Sequence, residues 1–153
     1  MEKNSERLVL QDFEAECERA FGFLLSEYKF SGPEIDISIV NVTKLIYFSS
    51  KIAIECILDT RDQDVSVKVA KLQSGKLPKY YNKDEQGNIV RDYLTQLLLR
   101  QGVRDFRFDD PIEDSSISER QKQYRKALNG YARLLRNYCQ SSLRGTTDLF
   151  DKK

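Results

Sequence analysis

The stretch LIYFSSKIAIECILDTRDQDVSVKV, residues 45–69, decides the fold. Its apolar residues alternate with a period of two and many are β-branched, the pattern of half-buried strands. A two-residue turn at Ser49-Ser50 sets Phe48 opposite Lys51, Tyr47 opposite Ile52, Leu45 opposite Ile54 and Lys44 opposite Glu55. Directly opposed residues share a face. One face then holds Leu45, Tyr47, Ile52, Ile54, Cys56 and Leu58; the second holds Lys44, Ile46, Phe48, Lys51, Ala53, Glu55 and Ile57. A second turn at Arg61-Asp62 sets Leu58 opposite Val65, Cys56 opposite Val67 and Ile54 opposite Val69, all on the first face. Two turns placed independently agree on one apolar face, which predicts a three-stranded antiparallel meander. Ile35, Ile37 and Ile39 continue the alternation, as a fourth strand or an extension of the first.

On either side the period changes. Leu10, Phe13, Cys17, Ala20, Phe21, Leu24 and Tyr28 recur in steps of three and four, which predicts a helix capped at Ser5 and ended before Gly32-Pro33. Residues 73–88 form a polar loop, residues 89–100 a short helix ended by Gly102, and residues 103–114 a second loop with Phe106 and Phe108 among acids. Ser115 or Ser116 caps a long final helix, with Glu119 placed as in a capping box. Its apolar stripe is Ile117, Tyr124, Leu128, Tyr131, Leu135 and Tyr138, and a polar tail follows around Gly145. The expected architecture is one α+β domain over residues 1–153: N-terminal helix, three- to four-stranded antiparallel meander, short helix, long C-terminal helix.

Composition narrows the chemistry. The chain has 153 residues, 25 Lys+Arg against 24 Asp+Glu, and no His. A length of 153 suits a single domain that buries its own core. The balanced charge argues against a whole-molecule grip on nucleic acid or anionic lipid. The absence of His removes His-based triads, His metal ligands and His pH switches. No apolar run forms a signal-peptide core or a membrane span. Three scattered cysteines, Cys17, Cys56 and Cys139, match neither a disulfide framework nor a zinc ribbon and fit a reducing cytoplasm. Cys139, beside Tyr138 and near Arg136, is the one thiol placed to meet positive charge.

Motif searches return little. Ser74-Gly75-Lys76 lacks the first P-loop glycine, since Ala70 stands there, and Leu77 replaces the hydroxyl residue. The loop opening at Asn82 would need a bidentate Glu where Tyr93 stands, so it is no calcium loop. Asp59, Asp62 and Asp64 read as turn residues rather than metal ligands. No catalytic residue, metal or cofactor is expected.

Three surfaces suggest binding. On the second sheet face, Ile46, Phe48 and Ile57 form an apolar patch rimmed by Lys44, Lys51 and Glu55, the make-up of a partner or dimer surface if no helix covers it. Adjacent Tyr80-Tyr81 in the long loop suit a hot spot or a loop anchor. The final helix offers Arg120, Arg125, Arg133 and Arg136 for nucleic acid, the alternative reading. Against it, these bases have acidic partners available in the loop before the helix and on the first helix.

Three stretches, residues 21–30, 45–69 and 131–151, resemble a group of small bacterial α+β proteins, similar to immunity proteins of bacterial toxin systems. The resemblance implies a non-enzymatic cytoplasmic protein that occludes a protein partner. It carries no catalytic or ligand residue onto this chain. Where such proteins often show Gly-Asp near the end, this sequence has Gly145-Thr146.

Overall fold

A computed structural model describes residues 2–79, 81–108 and 110–151, with side chains from residue 8 onward. Helix α1 (Glu2–Tyr28) leads into strands β1 (Ser31–Asp36), β2 (Val42–Phe48), β3 (Ile52–Asp59) and β4 (Asp64–Lys71). Then come β5 (Arg91–Tyr93), α2 (Leu94–Arg100), α3 (Glu119–Tyr138) and α4 (Gln140–Leu143). The strands form one antiparallel sheet in chain order, β1-β2-β3-β4-β5. The α+β architecture is therefore as expected, with five strands rather than three or four. Among the described residues no helix is long and apolar enough to cross a membrane.

The two faces of the sheet divide as the alternation requires. Leu45, Tyr47, Ile54, Cys56, Leu58, Val67 and Val69 all point into the main core, where Phe13, Phe21 and Leu24 of α1 meet Tyr124, Leu128 and Leu135 of α3. The second hairpin has the expected register, Leu58 opposite Val65 and Cys56 opposite Val67. The first hairpin is offset by two residues: Phe48 pairs with Ala53, and Lys44 faces Ile57, not Glu55. Ser49 is the reason. Its Oγ accepts from the Lys51 and Ile52 amides at 3.2 and 3.0 Å, so Ser50-Lys51 occupy the turn. A slip of two leaves every side chain on its face.

Other boundaries moved locally. Helix α1 starts at Glu2, ahead of the expected cap at Ser5. Residues 91–93 pair with Lys68, Val69 and Ala70 as an edge strand instead of opening the short helix. Helix α3 is capped by Ser118, whose hydroxyl accepts from the Gln121 amide at 3.1 Å. Ser116 is occupied differently, its amide and hydroxyl both donating to Asp114. The tail is not a loose end: Leu149 is buried in the core, and Lys71 bridges to Asp148 at 2.5 Å. At Gly130 a Cβ would lie 2.2 Å from the Phe108 ring, so only glycine lets Phe108 close over α3.

Candidate functional site

The second sheet face was expected to be open. Its apolar centre is covered, by the 73–90 loop rather than by a helix. Ile46, Ala53 and Ala70 form a small second core with Phe48, Leu72 and Leu77 packed on it. Ile46 is 3 % exposed and Ile57 9 %, so neither offers docking surface. Phe48 is half-buried against the same cluster, and Lys51 reaches the Gly145 carbonyl at 2.5 Å. Tyr80 lies outside the described residues.

The loop is fastened by a charge that alternation alone places in the sheet. Glu55 sits at the centre of β3, 1 % exposed, and accepts from Arg91 Nε at 2.8 Å. Arg91 Nη1 donates to the Tyr81 carbonyl at 2.6 Å, tying the loop to β5. The Tyr81 ring then lies among three cations: Lys68 Nζ at 4.4 Å, the Arg91 guanidinium at 5.2 Å and Lys44 Nζ at 5.9 Å from its centroid. Lys68 Nζ also donates to Tyr81 Oη. Tyr81 is thus a loop anchor, the second of its two expected roles, though its ring stays half-exposed.

The buried charges of this face are unequal. Lys44, Lys68 and Arg91 are each only 8 % exposed, and Glu55 is the one buried acid among them. Asp36, in register beside Lys44, turns its carboxylate to the Ser38 amide at 2.9 Å. Burying an ion costs several kcal/mol, whereas a desolvated cation–π contact returns about 2 kcal/mol. The tyrosine faces offset only part of that cost.

The basic helix is neutralised. Arg120 pairs with Asp12 at 2.7 Å, and Arg125 holds Glu16 with two bonds, at 2.7 and 2.9 Å, and Asp114 at 3.0 Å. Arg133 pairs with Asp110, and Arg136 with Glu27 at 3.2 Å while stacking on Phe23. All four candidate nucleic-acid contacts are thus spent within the chain, on the first helix and the acidic loop. The hydroxyls of Tyr124 and Tyr131 donate within the chain, to Gln63 and the Val65 carbonyl, while Tyr138 is exposed. Asp59 accepts from the Arg61 and Asp62 amides, a turn role. Cys139 is buried, and burial pushes its thiol up to about 12, so it does not meet positive charge as an activated nucleophile.

Exposed apolar surface gathers at another place. Strand β1 is a sheet edge, and the chain beyond it turns under the start of α1. Ile37 is 66 % and Val40 83 % exposed, and Ile35 and Ile39 stay about half exposed. Ile37, Ile39 and Val40 line an open groove of about 610 Å³ with Val9 and Leu10 of α1. Val42 and Thr43 line it too, and Arg61 and Gln63 stand at its other side. Of the alternating isoleucines expected in a fourth strand or an extension of the first, Ile35 does lie in such a strand, β1, paired with Leu45, whereas Ile37 and Ile39 lie beyond its end.

Comparison with family models, with curated proteins and with solved structures returns no match. The functional argument rests on the chain's own surfaces.

Proposed function

We propose that the protein is a non-enzymatic protein-binding module of the cytoplasm that docks its partner along β1 and the adjoining groove. One observation carries this reading: four large aliphatic side chains, Ile35, Ile37, Ile39 and Val40, are about half or more exposed on β1 and the chain that follows it. A clustered apolar surface of that kind marks an interaction site.

Charge selects the occupant. Glu34 and Asp36 share the opposite face of β1 from Ile35 and form no ion pair among the described residues. In a second copy paired across this edge, setting Ile35 against Ile35 brings Glu34 against Asp36 twice. Like charges directly opposed destabilise a sheet pair, and charged edge strands resist self-pairing. The partner is therefore an extended segment of a different protein, apolar on one face and basic on the other.

The test uses the immobilised full chain and nuclease-treated lysate. Ile37→Asp with Val40→Asp is compared with wild type and with Tyr138→Asp, a control at a distant exposed ring. These exposed positions keep stability within about 0.5 kcal/mol. The expected result is a bound protein retained by wild type and control and lost by the double variant. Equal capture by all three, no capture, or capture abolished by nuclease overturns the reading.

A further inference from the structure

We propose that the second face of the sheet carries a binding site for a phosphate-type oxyanion, held by Lys44, Lys68 and the hydroxyl of Tyr81. The site is separate from the β1 groove, and either can stand without the other. Lys68 lies directly between Glu55 of β3 and Tyr93 of β5, while Lys44 lies on β2, two residues before Ile46, the Glu55 partner. Strand pairing therefore fixes both lysine backbones, and the nine-tenths burial of their side chains restricts the ammonium groups. Glu55 is engaged by Arg91 Nε, and Arg91 Nη1 by the Tyr81 carbonyl, so this ion pair is scaffold. Among the described residues neither lysine has a carboxylate within ion-pair distance; Lys68 meets the Tyr81 hydroxyl and the rings of Tyr81 and Tyr93, and Lys44 faces the Tyr81 ring, with Asp36 opposite it across the strands but turned to the Ser38 amide. Two ammonium groups at the ends of mostly buried side chains stand around the ring and hydroxyl of the half-exposed Tyr81, and the Lys44 ammonium has no hydrogen-bond acceptor among the described residues. A phosphate oxyanion supplies an acceptor: its oxygens accept from both amines and from Tyr81 Oη, and its charge complements the two ammonium groups. Arg91 acts as a positioning residue by fixing the loop that carries Tyr81.

Inorganic phosphate and phenyl phosphate are the probes, with chloride at matched ionic strength as the blank. Calorimetric titration and ³¹P line broadening are read on the full chain. Wild type is expected to bind, and a preference for phenyl phosphate over inorganic phosphate identifies a monoester as the source, the reverse free phosphate. Lys44→Met and Lys68→Met remove an unpaired buried charge, so they fold, and each weakens binding by about tenfold or more. Tyr81→Phe weakens it less, since it removes a neutral donor. No phosphate response beyond chloride overturns the proposal. So does a response that both methionine variants retain in full, which would place the anion elsewhere.

Discussion

The ion pair between Glu55 and Arg91 should respond asymmetrically to losing one partner or the other. Glu55 is 1 % exposed and, among the described residues, supplies the only buried carboxylate on a face holding three buried cations. Glu55→Gln leaves Lys44, Lys68 and Arg91 with no buried anion. Breaking a buried pair in that way costs about 3–5 kcal/mol. Arg91→Met is milder, because Lys68 stands directly opposite Glu55 in the register and can exchange Tyr81 Oη for the carboxylate. The remaining cost, for lost packing and the lost bond to the Tyr81 carbonyl, is about 1–2 kcal/mol. Urea unfolding with an unchanged slope measures both, and for a chain of this size the difference corresponds to several degrees in Tm. Arg91→Met should also make the 73–90 loop more open to trypsin, since its tie to β5 is gone. If Arg91→Met costs as much as Glu55→Gln, Lys68 does not serve as the reserve partner and the charge reasoning for this face fails.

Three further outcomes follow from the core and the helix caps. Gly130→Ala should destabilise by about 1–3 kcal/mol in spite of alanine's better helix propensity, because its methyl would displace Phe108; thermal unfolding with near-ultraviolet dichroism reads both effects. Tyr47→Phe should be neutral or stabilising by about 1 kcal/mol in urea unfolding, since the buried Tyr47 hydroxyl has no partner among the described residues; a clear loss would reveal one. The Ser116 hydroxyl, the Ser116 amide and Arg125 hold the Asp114 carboxyl down to about 2, so its stabilisation is present above the ordinary value near 3.8 and lost as pH falls toward 2. Wild type and Asp114→Asn should therefore differ in stability at pH 5 and converge at pH 2.

The fold was legible where one signal repeats. Alternation from Leu45 to Val69 assigned both faces correctly even though the first turn lies one residue later, because an even slip preserves side-chain parity. Helices α1 and α3 followed from the spacing of Phe13, Cys17, Phe21, Tyr124 and Leu128, all buried. The internal partners of the basic helix were also foreseeable from the acids of the first helix and of the preceding loop, although sequence could not say which pairs form. The cover over Ile46 was not legible. It depends on Leu77 and Tyr81, isolated in a polar stretch without periodicity, and on Glu55 meeting Arg91, 36 residues away. Nor does any local pattern separate the exposed Ile37 and Ile39 from the buried Ile52 and Ile54, since burial is decided by what packs above them.

Site-specific photo-crosslinking inside the producing cell tests the location of the docking surface most directly. A benzophenone side chain is placed at position 39, at the groove, or at position 48, beneath the loop. The expected result is a protein adduct from position 39 and none from position 48. An adduct from position 48 alone, or from neither position, contradicts docking along β1.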